Sequence, residues 1–356
     1  MKVVYTLRHR LHHPQREFEA SGFQEPLEHP ERAEIIRAAL AADGEFEFIA
    51  PDEWGTDPIE AVHDPGLVKF LESAWEEYQR ERGHTHDVVP DVFAMPGLRD
   101  GMGPAKEPSA IGMRLGWWCF EITTPLTQGT YEAARSAVDV ALTAADHVIN
   151  GERVAYGLCR PPGHHAARSL YGGYCFFNNA AVVAEHLTAG TGGRVSVLDV
   201  DYHHGNGTQQ IFYDRADVQF VSLHGDPSRA YPYLTGFKDE VGSGAGHGTT
   251  SNFPLPERTG DDEYVEALTA ACGEIAAFAP DFLVVSLGLD TFVDDPIGGF
   301  TLRTDDYARL GALVRGLDRG VVALQEGGYA VEAIGANAVA FLEGLVGRRV
   351  AAPASV

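Results

Sequence analysis

Short apolar segments rich in β-branched residues alternate with longer segments of helical period through the second half of the chain. The short segments are almost continuously apolar, which is typical of strands that are covered on both faces. The alternation predicts an α/β fold with a mainly parallel sheet flanked by helices on both faces. Predicted strands lie at 153–159, 194–201, 218–224, 281–290 and 320–326, and predicted helices at 180–190, 207–216, 264–279, 304–318 and 330–345.

A single domain over residues 1–349 is the predicted organisation, because the chain shows no repeat period and no linker between two cores. Two long stretches rich in Gly and Pro interrupt it, at 12–31 and 84–112. Loops of this length in a compact domain are usually functional or disordered. Residues 350–356 are predicted to form a frayed tail.

Composition and net charge indicate a folded protein and exclude some classes of binding partner. The chain has 356 residues, of which 44% are hydrophobic, and its 27 Lys and Arg against 51 Asp and Glu give a formal net charge of −24. Such a chain can bury a large core, which excludes disorder over most of its length. Nucleic acids and anionic membranes are polyanions that the negative charge would repel, so neither is expected as the main partner.

Cysteine usage and the N-terminus indicate a compartment. Four cysteines, Cys119, Cys159, Cys175 and Cys272, lie far apart and form no C-x-x-C pair. This spacing fits neither a disulfide framework nor a cysteine zinc site, and it indicates a reducing environment. The N-terminus lacks the apolar core of a secretory signal, and no apolar run approaches the ~18 residues of a membrane span. We expect a soluble, cytoplasmic protein.

Polar residues follow the predicted strands at the edge where parallel sheets bind ligands. Asp199, Asp201 and His203 recur at period two, so in a strand their side chains would point to one side. Two carboxylates and an imidazole are costly to bury without a cation, which favours a metal on Asp201 and His203 with Asp199 behind them. Asp290 ends another predicted strand and would complete three ligands, leaving a fourth position for water as in catalytic zinc sites. The alternatives are solvated strand-end groups and a helix cap at Asp290.

Two adjacent histidines, His164 and His165, follow a rigid Pro-Pro-Gly segment that can aim both at one point. Near a metal they suit general base and general acid chemistry, because the pKa of imidazole lies close to neutrality, and otherwise they are surface residues. Tyr329 follows two glycines and is either a packing residue or a hydroxyl donor to a carbonyl oxygen. Tyr174 and Tyr231, in predicted loops, either pack or form a narrow tube around an aliphatic chain.

Five ordered motifs resemble the histone deacetylase superfamily of zinc amidohydrolases, namely RPPGHHA, DVDYHHGNGTQ, VSLH, LGLDTFVDDPIGGF and QEGGY. Within it, the chain is most similar to the bacterial acetylpolyamine amidohydrolases, through CRPPGHHA, GGYCFFNNAA, SLHGDP and the long insertion before the helix TYEAARSAVDVALTAADHVI. The resemblance implies an arginase/deacetylase-like fold. It also implies one zinc ion per subunit, bound by Asp201, His203 and Asp290.

Further site residues are implied by the same resemblance. His164 and His165 match the histidine pair, and Tyr329 matches the hydroxyl that polarises the carbonyl. Asp199 matches the residue that holds the first histidine and also helps to bind a structural monovalent cation, K⁺ or Na⁺. The other implied ligands of this cation are the backbone carbonyls of Asp201, His203 and Leu223 and the hydroxyl of Ser222.

Asn206 departs from the pattern of many eukaryotic relatives, which place an Asp there as the partner of the second histidine. A neutral partner stabilises imidazolium less than a carboxylate does. We therefore expect His165 to be the general base. His164, beside Asp199, is expected to stay protonated.

The predicted reaction is hydrolysis of an acetylated polyamine, or a similar small acetylated amine, to acetate and free amine, with zinc and Tyr329 stabilising the oxyanion. Glu17 matches an acidic position in the polyamine-acting relatives and is the predicted contact for a distal ammonium, unless it is a solvated loop charge. The alternatives are a protein-lysine deacetylase with an open mouth, an arginase-like two-metal hydrolase, and a metal-bound binder or sensor without catalysis. Asp and His ligands suit iron(II) as well as zinc.

The stretch 84–112 is too apolar for a free loop. It carries Phe93, Met95, Leu98, Met102 and Ile111. As the acetylpolyamine relatives imply, we expect it to pack against a second subunit in a homodimer whose interface also roofs the entrance to the active site. The alternative is that it folds back on its own domain.

Overall fold

The computed structural model describes residues 1–19 and 22–348, so the predicted tail at 350–356 and the last residue of the predicted domain lie outside the described residues. The strands are β1 (Lys2–Val4), β2 (Glu17–Glu19), β3 (Gly22–Gln24), β4 (Glu47–Ile49), β5 (Val154–Gly157), β6 (Val195–Asp199), β7 (Val218–Gly225), β8 (Thr250–Leu255), β9 (Phe282–Leu287) and β10 (Gly320–Gln325). The α-helices are α1 (Glu31–Asp43), α2 (Asp57–Glu60), α3 (Pro65–Arg82), α4 (Ile111–Trp118), α5 (Thr130–Ile149), α6 (Asn179–Thr191), α7 (Asn206–Phe212), α8 (Asp261–Phe278), α9 (Thr304–Arg315) and α10 (Ile334–Val346).

Eight strands form one sheet in the order β4-β1-β5-β10-β9-β6-β7-β8. Every neighbouring pair in it is parallel. The remaining strands, β2 and β3, form an antiparallel hairpin. The predicted fold class, a parallel sheet with helices on both faces, is therefore confirmed.

Two hydrophobic cores lie on opposite faces of this sheet. In β6, Val197 belongs to the core beneath α3, α4, α5 and α6, whereas Leu198 belongs to the core beneath α1, α8, α9 and α10. Val284 and Val285 of β9 divide in the same way. Both faces are apolar because both are covered, which is why these strands show no polar alternation in the sequence. Burying each such side chain stabilises the fold by about 1.5–3 kcal/mol.

The sequence pattern misses three of the sheet strands. β1 and β4, at one edge, have three residues each, which is too short to produce a pattern. β8, at the other edge, contains Asn252 and Pro254. Proline lacks the N–H that a central strand must donate, so it is tolerated here because β8 has a neighbour on one side only.

The two predicted loops contain more structure than expected. Residues 12–31 include the hairpin of β2 and β3, and α1 begins at Glu31. The stretch 84–112 ends inside α4, since Ile111 and Gly112 are helical. Backbone hydrogen bonds between Val88 and Leu126, and from the Ala94 N–H to the Gly116 carbonyl, attach this stretch to its own domain.

Among the described residues, no helix combines the length and the apolar character needed to cross a bilayer.

Candidate active site

The carboxyl ends of four central strands carry the predicted site. The strands β5, β10, β9 and β6 are adjacent and parallel, so the loops that follow them leave the sheet at the same edge. The loop after β5 carries His164 and His165, and the segment after β6 carries Asp201 and His203. Asp290 follows β9 and Tyr329 follows β10.

The three predicted metal ligands lie together and are buried. The ligand atoms of Asp201, His203 and Asp290 are all within 4.8 Å of one another. His203 Nδ1 lies 2.9 Å from Asp290 Oδ2 and 3.3 Å from Asp201 Oδ1. Two backbone donors orient the carboxylates, because the Gly327 N–H donates to Asp201 Oδ2 at 2.8 Å and the Tyr202 N–H to Asp290 Oδ1 at 2.8 Å.

The prediction that Asp199, Asp201 and His203 share one strand is wrong, because β6 ends at Asp199. Tight turns hold the next residues instead. The Asp201 N–H donates to Asp199 Oδ1 at 3.1 Å, and the His203 N–H donates to Asp201 Oδ1 at 2.9 Å. Each acidic side chain therefore fixes the backbone two residues ahead, and the three side chains stay close together without strand pairing.

This donor set fits a divalent cation. Burial raises the pKa of Asp290, and repulsion from the Asp201 carboxylate adds to the effect. Burial disfavours charge on His203, yet its hydrogen bonds to Asp201 and Asp290 raise the pKa of His203 to about 10. The carboxylates thus favour positive charge at their centre. Two carboxylate oxygens and one imidazole nitrogen are ligands that suit zinc and iron(II).

His165 has a defined tautomer. Its Nδ1 lies 2.7 Å from Asn206 Oδ1, and the Asn206 side-chain N–H₂ donates to the His165 carbonyl at 3.2 Å. Because that second bond fixes the orientation of the amide, Asn206 Oδ1 can only accept, and His165 Nδ1 must carry the proton. The Nε2 of neutral His165 is left as an acceptor, and His165 lines the pocket described below.

The carboxylates around His164 favour its protonated form. The two rings lie 4.0 Å apart, and His164 Nδ1 lies 3.0 Å from Asp199 Oδ2. Burial opposes the charge of His164, but the Asp201 and Asp199 carboxylates raise its pKa to about 10. Burial lowers the pKa of His165 well below its usual value, and the neighbouring His164 and His203 act in the same direction.

Tyr329 is positioned from two sides. Asp295 Oδ2 accepts the N–H groups of Tyr329 at 2.7 Å and of Ala330 at 3.2 Å. On the other side, Arg32 donates to the Gly328 carbonyl at 2.6 Å and to the Glu326 carbonyl at 2.8 Å. Its guanidinium lies 4.5 Å from the centre of the Tyr329 ring. The loop that carries the hydroxyl is therefore held at both ends.

A buried ionic network connects this loop to the histidine segment. Glu28 Oε1 accepts hydrogen bonds from Arg32 at 2.9 Å and from Arg160 at 2.7 Å, and all three side chains are buried. Although burial acts in the opposite direction, Arg160 and Arg32 lower the pKa of Glu28 to about 2. Arg160 immediately precedes the Pro-Pro-Gly segment of the histidines. One carboxylate therefore ties two loops of the site together.

The sequence analysis did not identify Arg32, Glu28, Arg160 or Asp295. Arg160 and Asp295 belong to two of the sequence motifs, RPPGHHA and LGLDTFVDDPIGGF, so a signal for both residues was present in the sequence. Arg32 and Glu28 lie near the start of the chain, without any local pattern.

An aromatic pocket of about 380 Å³ opens onto the site. His164, His165, His203 and Tyr329 line its inner part. Its aromatic wall consists of Tyr174, Tyr202, Tyr231 and Tyr233. Both tyrosines predicted to form a tube are thus brought to the pocket, and the Tyr174 ring lies 5.7 Å from that of Tyr329.

Glu17 also lines this pocket, so it is not a solvated loop charge. Its side chain is 2% exposed, and it accepts hydrogen bonds from the Tyr174 hydroxyl at 2.5 Å and from the Leu27 N–H at 3.2 Å. Among the described residues of this chain, none from 84–112 lines the pocket. The first long loop therefore contributes to the wall, whereas the second lies elsewhere.

Three of the residues predicted for the monovalent cation lie on the adjacent strands β6 and β7, and the other two, Asp201 and His203, follow the end of β6. Asp199 of β6 pairs in register with Ser222 of β7, and Leu223 follows it. Asp199, Ser222 and Leu223 are fully buried, and the Ser222 hydroxyl lies 2.8 Å from His224 Nδ1. The cation itself stays a prediction.

Comparison with known proteins gives consistent matches over almost the whole chain. Residues 26–345 match the histone deacetylase domain. The chain is 46% identical to acetylpolyamine amidohydrolase 2 of Pseudomonas aeruginosa, over 98% of this chain and 99% of that protein. It is 41% identical to acetylpolyamine amidohydrolase of Mycoplana ramosa, over 98% and 100% respectively. The crystal structure of acetylpolyamine aminohydrolase from Burkholderia pseudomallei has a TM-score of 0.90 at 39% identity, covering 97% of this chain and 98% of that one.

Proposed function

This chain belongs to the histone deacetylase family, and from that premise we propose that it is a zinc-dependent amidohydrolase that removes acetyl groups from acetylated polyamines or similar small acetylated amines. The observation that carries the proposal is the convergence of Asp201, His203 and Asp290 with His165 and Tyr329 at one aromatic pocket. The relatives that match over nearly full length are acetylpolyamine amidohydrolases, which supports the same reaction.

The residues of this chain suggest a division of labour. Zinc held by Asp201, His203 and Asp290 would supply Lewis-acid polarisation of the amide carbonyl and of a water molecule. The Tyr329 hydroxyl donates a hydrogen bond to the carbonyl oxygen and stabilises the negative charge that develops on it. His165 Nε2 accepts a proton from the attacking water, and the imidazolium so formed gives it to the departing amine. Acetate and a free amine are the products.

Neighbouring side chains support these proton transfers. Asn206 keeps the proton of neutral His165 on Nδ1, so that Nε2 faces the reaction as a base. His164, charged beside Asp199, provides positive potential next to the developing oxyanion. The tyrosine walls exclude water and fit a slender alkyl chain.

Glu17 supports a cationic substrate. Among the described residues that line the pocket, Glu17 is the one that carries a carboxylate, and its charge would face an ammonium group carried farther along the amine. The net charge of −24 favours cations over the whole surface. For the monovalent site, we propose K⁺ or Na⁺ at Asp199 and Ser222, with the backbone carbonyls of Asp201, His203 and Leu223.

We further propose a homodimer formed through 84–112. In this stretch the side chains of Met95, Leu98 and Met102 are 60%, 73% and 67% exposed, which is unusual for three apolar residues so close together. A partner subunit would cover them and could bring the same stretch over the pocket entrance. Light scattering at micromolar concentration should report twice the chain mass, and a monomer would rule out the dimer.

We also propose a reducing, cytoplasmic compartment. All four cysteines lie in the described ranges, and none of them is in a disulfide.

A substrate panel tests the proposed function. Protein of measured metal content is assayed for acetate release from N-acetylcadaverine, an acetylated spermidine and an acetyllysine peptide, alongside His165→Ala and the exposed-site control His247→Ala. The account predicts efficient release from the small amines, loss in His165→Ala and normal activity in His247→Ala. Clearly better turnover of the peptide would favour a protein-lysine deacetylase instead.

A further inference from the structure

Arg229 is a charged residue in the pocket wall that the proposed reaction does not use. Its side chain is exposed, and no ion pair or hydrogen bond of its guanidinium with another described residue is present. The acid closest to it in the sequence, Asp226, accepts the Ser228 N–H at 2.9 Å and attracts Arg229 only over a distance, without forming an ion pair with it. The pocket therefore carries a positive group that the protein itself leaves available.

The backbone beneath Arg229 is well anchored. The N–H groups of Arg229 and Ala230 both donate to the Asp226 carbonyl, at 2.9 and 2.8 Å. The Asp226 N–H in turn donates to the carbonyl of Leu255, at the end of β8, at 2.9 Å. Ala230 is buried. The turn thus fixes where the guanidinium can reach, and only the side chain itself is free to move.

Arg229 changes the electrostatic character of the pocket. A substrate whose far end carries only ammonium groups would be attracted by Glu17 and repelled by Arg229, because both residues line the same pocket. A substrate whose far end carries an ammonium and a carboxylate would find a partner of opposite charge for each. The α-amino and α-carboxylate groups of a free amino acid have this chemistry.

We propose that the pocket also accepts free basic amino acids acetylated on the side-chain amine, with the α-carboxylate paired to Arg229 and the α-ammonium directed to Glu17. This inference rests on the proposed function, since the acetamide would occupy the same inner site. Nε-acetyl-L-lysine is the test molecule, and N-acetylcadaverine is its matched control, because the two share the acetamide and the carbon chain and differ in the α-carboxylate.

Binding affinity tests the inference independently of turnover. Dissociation constants for the two compounds are measured by calorimetry on metal-loaded Tyr329→Phe protein, with and without Arg229→Gln. We expect Arg229→Gln to weaken the binding of Nε-acetyl-L-lysine about fivefold, as for a partly exposed charge pair. The dissociation constant of N-acetylcadaverine should change by less than about twofold. Arg229→Glu should weaken the binding of Nε-acetyl-L-lysine further and strengthen the binding of N-acetylcadaverine. Arg80→Gln, the same change at an exposed arginine of α3 outside the pocket, should alter neither.

The outcomes separate this inference from the proposed function. Equal changes for both compounds, or an unchanged affinity for Nε-acetyl-L-lysine in Arg229→Gln, would overturn the role of Arg229. If wild-type protein loaded with metal releases acetate from neither compound, the proposed function is wrong. The comparison of affinities still decides whether Arg229 binds the α-carboxylate.

Discussion

Replacing Arg32 by Met tests whether the buried network positions the tyrosine of the site. Arg32 donates to the carbonyls of Glu326 and Gly328 and to the carboxylate of Glu28, and Met occupies a similar volume without any donor. Breaking a buried ion pair costs about 3–5 kcal/mol. Glu28 keeps its bond to Arg160, so we expect a loss near the lower limit, about 3 kcal/mol in the free energy of unfolding.

The decrease in kcat that Arg32→Met can cause has an upper limit. If Arg32 acts through Tyr329, its loss cannot cost more than removing the hydroxyl, which is on the order of 10²-fold in kcat. Partial displacement of the loop should lower kcat by about tenfold with little change in KM. In a Tyr329→Phe background the same substitution should lower kcat by less than about twofold, because the hydroxyl it positions is already gone.

The assay is acetate release from N-acetylcadaverine by the two single variants and the double variant, with urea unfolding at the same pH. Leu142→Ala, a fully buried residue of the core beneath α5, supplies a comparable loss of stability away from the site. Additive effects of Arg32→Met and Tyr329→Phe on kcat, or an equal fall of kcat in Leu142→Ala, would refute the positioning role.

Two further predictions concern the substrate and the pH dependence of stability. Glu17→Gln should raise KM for acetylated polyamines and leave a short neutral acetamide unaffected, because only the polyamine presents a distal ammonium; equal effects on both would contradict the role of Glu17. Burial lowers the pKa of His63 to about 4, and its nitrogens lie 3.0 Å from the Ala167 carbonyl and 2.9 Å from the Asn178 N–H, so the folded state holds it neutral. Neutral His63 stabilises the folded state fully above the unfolded pKa of about 6.5, and this contribution is lost as the pH falls from there towards about 4. The loss at pH 5 is about 2 kcal/mol in the free energy of unfolding. Between about pH 7.5 and pH 5, the free energy of unfolding measured in urea should therefore fall less in His63→Gln than in the wild type. Equal decreases would exclude His63 as the cause.

The sequence predicts the central sheet because its strands are covered on both faces. Strands such as β6 and β9 are almost continuously apolar, and an acid stands at the end of β6 and three residues after the end of β9, so the pattern identifies the strands and the chemistry after them. Edge strands carry less information. β1 has three residues, and its place in the sheet depends on parallel partners about 45 and 150 residues away in the sequence, which no local pattern can specify.

Within the site, the residues that the sequence identified are those that follow strands in compact motifs. Tyr329 and His165 belong to this group. Arg32 does not, because its partner Gly328 is 296 residues away and the contact arises only when α1 packs beside the end of β10. Glu28 looks like an ordinary loop acid until the fold places two guanidinium groups around it.

The measurement that tests the central claim most directly is metal content together with acetate release for wild type, Asp201→Ala and Asp239→Ala, the last being an exposed acid outside the metal cluster. The account predicts about one metal ion per chain and hydrolysis of N-acetylcadaverine for wild type and Asp239→Ala, since Asp201, His203 and Asp290 together supply the three protein ligands of one catalytic site. In Asp201→Ala both should be lost while the protein stays folded by circular dichroism. Full metal content with undiminished acetate release in Asp201→Ala would contradict the account.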